Sequence, residues 1–124
     1  MYSEADWKSE KHVPVIECAD VLKKGEKNPI TVSVGKEITH PNTTAHFISW
    51  IKLYFHPEGE RIQEIGVANF EAHGAGLKGA DTSTVYTEPY AIFHLKTEKP
   101  GKLIATSYCN IHGLWKSEKD VTVG

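Results

Sequence analysis

Seven histidines and two cysteines are the residues of this 124-residue chain best suited to metal and redox chemistry. One cysteine, Cys109, stands three residues before His112 in the stretch SYCNIHGLW (107–115), with Gly113 directly after. Cys-x-x-His spacing lets two ligands from one turn reach a single ion, and the glycine relieves backbone crowding behind it. On its own the pair is weak evidence for a metal. Two further stretches carry histidine at the edge of an expected strand. EKHVP (10–14) holds Glu10, Lys11 and His12, and HPNTTAH (40–46) brackets a Pro-Asn-Thr-Thr loop with His40 and His46. Together these pieces offer four nitrogens and one sulfur. Imidazole suits iron, copper, zinc and nickel, while thiolate adds a soft, electron-donating ligand. A lone cysteine among nitrogens points to redox chemistry more than to closed structural zinc, which is usually richer in cysteine.

The other histidines have plainer readings. His56, beside a turn, is expected to be solvated, and His94 to lie mid-strand at the surface. His73 heads a Gly-rich loop and is expected to support packing or hydrogen bonding there.

The elements that must position these side chains read as strands. Residues 13–19 are rich in β-branched side chains, and residues 30–34 alternate, with Ile30, Val32 and Val34 on one side. In residues 46–55, Phe47, Ile51, Leu53 and Phe55 share one parity, and Ile48, Trp50, Lys52 and Tyr54 the other. That predicts a strand covered on much of both faces. Residues 62–72 form a weaker strand, with a bulge expected at Gly66. Turn chemistry marks 56–60 and 98–101, and a Gly-rich loop spans 73–83. Residues 84–97 and 102–109 are expected to pair as a hairpin, and 119–124 to add a short final strand. No stretch keeps a helical period over three turns. The chain is expected to be a single all-β domain, a sandwich or barrel, spanning 1–124.

Composition excludes some partners. A net charge of −2 gives no electrostatic footprint for nucleic acid. No apolar run reaches the roughly 18 residues of a membrane span. The N-terminal stretch MYSEADWKSEKH lacks the apolar region of a secretory signal, which predicts a cytoplasmic protein and reduced thiols.

Three other arrangements fit part of the pattern. Cys18, Trp50 and Cys109 follow the Cys…Trp…Cys order of an immunoglobulin domain, where Cys109 would be half of an inter-sheet disulfide. Against it, Ser107 occupies the tyrosine-corner position and the expected compartment is reducing. Cys18 then reads as a small buried residue of the first strand. A blue-copper site would usually add an axial methionine, and Met1 is the only one present. Structural zinc on Cys109, His112 and two more histidines would leave a loop histidine without a role.

The ordered pieces EKHVPVIE, VGKEITHPNTTAH, VYTEPYAIF, KPGKLIATSYC and SYCNIHGLW closely resemble superoxide reductases of the single-iron, neelaredoxin type, in the desulfoferrodoxin family. The likeness covers nearly the whole chain; Thr39 stands before His40 where proline is common in that family. Two-iron relatives carry an N-terminal rubredoxin-like domain, which is not expected here. The resemblance implies an immunoglobulin-like β-sandwich holding one non-haem iron per chain. Its ligands would be His12, His40, His46 and His112 around the metal and the Cys109 thiolate on the axis. Glu10 would take the sixth position in the ferric state, and Lys11 would guide superoxide and assist protonation. The implied activity is reduction of superoxide to hydrogen peroxide, with electrons from rubredoxin or a similar donor. A homo-oligomer, often a tetramer, is implied as well. Since the chain is net acidic, a single lysine must supply the local attraction. At about 6 Å in water a unit-charge pair is worth roughly 0.7 kcal/mol, about threefold in local anion concentration.

Overall fold

The computed structural model describes residues 2–6, 10–36 and 38–124. Eight strands follow in order: β1 Pro14–Glu17, β2 Val21–Leu22, β3 Asn28–Val34, β4 Ile48–Pro57, β5 Gln63–Asn69, β6 Tyr90–Leu95, β7 Gly101–Cys109 and β8 Gly113–Val123. They form two sheets, of order β1-β3-β6 and β2-β8-β7-β4-β5. There is no helix among the described residues, so the all-β expectation stands.

Alternation along the strands builds the core between the sheets. Ile30, Val32 and Val34 of β3 face Ile51, Leu53 and Phe55 of β4, Leu103 and Ala105 of β7, and Val121 of β8, all buried. Burying each large aliphatic side chain contributes about 1.5–3 kcal/mol. The outer face of β4 carries Trp50, Lys52 and Tyr54, which are only half-buried.

Ile48 departs from the simple parity. The β4–β7 register passes from Ile48↔Cys109 to Trp50↔Tyr108, leaving Ser49 as an extra residue. This bulge turns Ile48 inward alongside Ile51, and the Ser49 carbonyl accepts the Phe70 N–H at 2.8 Å. A second shift opposes Leu53 to Gly66 and Tyr54 to Glu64, so the extra residue is Ile65, beside the glycine where a bulge is expected.

Several strand readings change. Residues 84–97 and 102–109 do not form a hairpin: β6 pairs with β3 in one sheet and β7 with β4 and β8 in the other. Their connection crosses the sandwich. Residues 84–89 lie outside the strand; an isolated bridge ties Tyr86 to His73 of the same loop, and a Val34 N–H to Pro89 carbonyl bond of 2.9 Å joins them to β3. The short final strand is instead eleven residues long, because β8 pairs with β7 from Cys109↔Gly113 to Gly101↔Val121. Its charged SEKD stretch has little intrinsic strand preference, and the neighbouring strand overrides it. β2, parallel to β8, was not expected from the sequence. Cys18 is half-buried rather than fully buried. It and Cys109 are both free thiols, which excludes the immunoglobulin-type disulfide.

Candidate metal centre

Three histidine- or cysteine-bearing segments meet at one end of the sandwich. Cys109 ends β7, is fully buried, and points inward because it pairs with the inward-turned Ile48. The chain then reverses through residues 110–112, and Gly113 has φ +82°, a left-handed conformation suited to glycine. This turn brings His112 Nδ1 to 3.7 Å from the Cys109 sulfur, which also accepts the His112 backbone N–H at 3.4 Å. His12 precedes β1, and its carbonyl accepts the Ser107 hydroxyl of β7 at 3.4 Å.

His40 and His46 sit on the loop between β3 and β4. Close backbone approach sets where that loop begins, since a Cβ at Gly35 would collide with the His40 backbone nitrogen. Asn42, buried inside the loop, accepts the Ile48 N–H at 2.7 Å and donates to the Thr87 carbonyl and hydroxyl at 2.8 and 2.7 Å. Thr87 in turn is held by the Ala72 carbonyl.

One ligand atom each from His12, His46, Cys109 and His112 lies within 4.8 Å of all the others. His46 Nε2 is 3.2 Å from His112 Nδ1. The His40 ring stands beside this group, its centroid 4.5 Å from that of His46 and 4.9 Å from that of His12. The five histidine and cysteine residues singled out from the sequence as possible ligands are therefore neighbours in space.

Hydrogen bonds outside the cluster orient two of the rings. The Pro41 carbonyl can only accept, so His40 Nδ1 carries a proton and donates to it at 2.5 Å. The Glu10 carboxylate accepts from His12 Nδ1 at 2.5 Å and from the His12 backbone N–H at 2.9 Å. Each bond leaves the opposite Nε2 as a lone pair, and both of these atoms are buried with no partner. His12 and His40 are only 6% and 4% exposed, so both lone pairs are desolvated within this group of rings. Metal-binding histidines are oriented in this way by an acceptor on the far ring nitrogen.

Electrostatics also favours neutral rings. Burial, helped by the other imidazoles and by the Lys11 ammonium, lowers the pKa of His40 to about 4. Burial is likewise the leading cause of the lowered pKa of His12 and His46, and Lys11 contributes at both. Burial alone would raise the Glu10 pKa, but hydrogen bonds and charge from His12 outweigh it and hold the carboxyl below its usual range. Neutral, unprotonated Nε2 atoms are what a cation requires.

Trp115 was not singled out, yet it lies over His12 with the rings 5.4 Å apart and nearly parallel, and its indole N–H donates to the His112 carbonyl at 3.2 Å. Its only sequence signal is its place three residues beyond His112. His73 stacks on Phe47 at 3.9 Å, in the packing role expected of it. His56 and His94 are exposed, as expected.

Comparison with known proteins points the same way. The desulfoferrodoxin family model matches residues 4–118. The chain is 52% identical over 124 residues to neelaredoxin of Megalodesulfovibrio gigas, covering 99% of this chain and 95% of that one. It is 59% identical over 114 residues to superoxide reductase of Pyrococcus furiosus, covering 91% and 90%. The solved structure of superoxide reductase (neelaredoxin) from Archaeoglobus fulgidus in the reduced form superposes with a TM-score of 0.91. It is 55% identical, with 98% of each chain covered.

Proposed function

The chain belongs to the desulfoferrodoxin family, and from that premise we propose that it is a superoxide reductase with one iron held by His12, His40, His46, His112 and Cys109. The observation that carries this reading is the pair of buried, unpartnered Nε2 atoms of His12 and His40 beside a buried thiol and two more imidazoles. Leaving such atoms desolvated costs about 1–3 kcal/mol each unless something binds them. The donor set fits iron: nitrogen and one soft sulfur, with no all-cysteine cage that would select structural zinc.

Bound iron would supply the single electron that reduces superoxide, and an external donor such as rubredoxin would restore it. The chain's own residues do the rest. The Cys109 sulfur, fully buried and accepting the His112 N–H, is the electron-rich side of the centre. Lys11, half-exposed, places a positive charge whose field reaches His12, His40 and His46, and it attracts the anionic substrate. Glu10 holds the His12 ring by its Nδ1 proton. Both bonds to His12 use the Glu10 Oε1 oxygen, so Oε2 would be the oxygen offered to iron in the ferric state. Protons reach the product from water, with Lys11 stabilising negative charge nearby. Assembly as a homotetramer belongs to this reading.

The decisive experiment is metal analysis combined with a visible spectrum of the oxidised protein and an assay of superoxide consumption. The reading requires one iron per chain, a thiolate-to-iron charge-transfer band, and hydrogen peroxide formed in step with superoxide lost. Colourless protein carrying zinc defeats it. Colour without superoxide consumption makes the chain an electron-transfer module instead.

A further inference from the structure

We propose that Asn110 is a positioning residue for the metal centre, clamping His46 against the Cys109 turn; the proposal rests on the metal reading above. Its side-chain oxygen accepts the Phe47 N–H at 2.8 Å, and its amide group donates to the Ala45 carbonyl at 3.0 Å. Those groups belong to the two peptide units that flank His46. The Asn110 backbone N–H adds a third bond, to the Phe47 carbonyl at 3.2 Å. From the other side, the His46 carbonyl accepts the Thr43 N–H at 2.9 Å. The main chain on both sides of His46 is thus held, and most of the holding comes from the residue directly after Cys109.

This arrangement has a structural reason. The β4–β7 ladder reaches Ile48↔Cys109, next to the bulge at Ser49, and there the regular pairing ends. A primary amide presents a carbonyl and an N–H group in one plane, as a strand edge does, so Asn110 continues the ladder by one step with its side chain. The result is the 3.2 Å approach of His46 Nε2 to His112 Nδ1. Asn110 itself is exposed and packs into no core cluster. The sheet does not need it; the relative placement of two ligand-bearing segments does. Groups that hold a ligand's own ring alter metal affinity by about 10–100-fold when removed. Asn110 holds the ligand's main chain instead and should act at the low end of that range.

The test uses the full-length chain, stripped of metal and reloaded with cobalt(II) alone, as wild type, Asn110→Ala and Asn110→Asp. Three quantities are read: the thiolate-to-cobalt absorption band, the rate of cobalt release to a chelator, and urea unfolding of the metal-free forms. Asn110→Ala should release cobalt about tenfold faster with a shifted band, while its metal-free unfolding midpoint matches wild type. Asn110→Asp keeps the acceptor for Phe47 but loses the donor for Ala45, and should fall between the two. Identical release rates and bands for wild type and Asn110→Ala overturn the proposal. So does faster release matched by an equal loss of metal-free stability, which would make Asn110 an ordinary structural contact. A wild-type chain with no thiolate-to-cobalt band would fail at the earlier step, removing the metal reading and this proposal with it.

Discussion

The two ends of the sandwich are built from the same strands and differ in what joins them. At one end β2 passes to β3, β4 to β5 and β6 to β7 through residues 23–27, 58–62 and 96–100, five residues each. At the other, β3 passes to β4 through 35–47 and β5 to β6 through 70–89, loops of 13 and 20 residues, with the 110–112 turn between them in function. Asparagines organise both ends, Asn42 and Asn110 among the long loops and Asn28 among the short turns. Asn28, buried at the short-turn end, accepts the Lys23 N–H at 2.9 Å. It donates to the Lys23, Glu26 and Leu95 carbonyls at 3.0, 3.0 and 3.2 Å. Polar groups there are satisfied by the protein itself. At the long-loop end, His12 Nε2, His40 Nε2, Thr44 Oγ1 and His73 Nε2 are buried without partners. They are four of the five such side-chain atoms among the described residues. A fold that satisfies one end so fully and leaves the other short of partners concentrates its unmet bonding where a ligand can supply it.

Breaking the long-loop end at its sulfur should have the largest effect. Cys109→Ser replaces a buried thiol with a smaller hydroxyl at the same position, so the sheet persists while the soft ligand is lost. The iron-loaded variant should lose the charge-transfer colour and most superoxide reduction, measured by visible absorption and a superoxide-decay assay. Retained colour would put the thiolate elsewhere.

The next contrast is in stability. Unfolded histidine titrates near 6.5, whereas His40 in the metal-free fold does so at about 4. Between those values the unfolded chain binds more protons, so the contribution of His40 is fully present above pH 6.5 and is lost as pH falls toward 4. The lowered pKa values of His12 and His46 act with the same sign. Urea unfolding of the metal-free protein should show it about 2–3 kcal/mol less stable at pH 4.5 than at pH 7. Asn28→Ala, at the other end, should lower stability by about 2–3 kcal/mol through orphaned backbone groups, equally at both pH values and with the iron colour intact. An Asn28→Ala variant that loses its colour would mean the two ends are coupled.

The two ends were also unequally legible in the sequence. Ligand candidates stood out because histidine and cysteine are few and their chemistry is specific; His12, His40, His46, Cys109 and His112 needed no structure to be nominated. What brings them together was hidden. The Ser49 bulge, which sends Ile48 and the paired Cys109 inward, shows in the sequence only as a serine interrupting the parity of Phe47, Ile51, Leu53 and Phe55, with nothing to say that it is a bulge. Asn42 and Asn110 looked like ordinary loop residues, because their partners lie across the fold at Thr87 and Ala45. β8 was underestimated for the same reason: its pairing with β7, not its own composition, makes it a strand. Local preference also suggested a β6–β7 hairpin, which the two-sheet arrangement overrides.

The smallest expected effect separates the metal from its surroundings at the long-loop end. Lys11 is half-exposed, and its charge depresses the pKa of three neighbouring imidazoles after burial has done most of that work. The same field that repels a proton from those rings attracts an anion. Lys11→Ala should therefore slow the second-order reaction with superoxide by several-fold at low salt, in line with a Coulombic energy of about 0.7 kcal/mol at roughly 6 Å and somewhat more near a low-dielectric surface. Iron content and the charge-transfer band should not change, because no ligand is touched. Raising the ionic strength should slow the wild type toward the variant, since the Debye length falls to about 10 Å at 0.1 M and to about 3 Å at 1 M. Pulse radiolysis across a salt series measures both. Equal rates for the two proteins at low salt would take Lys11 out of the reaction and leave substrate capture to the centre alone.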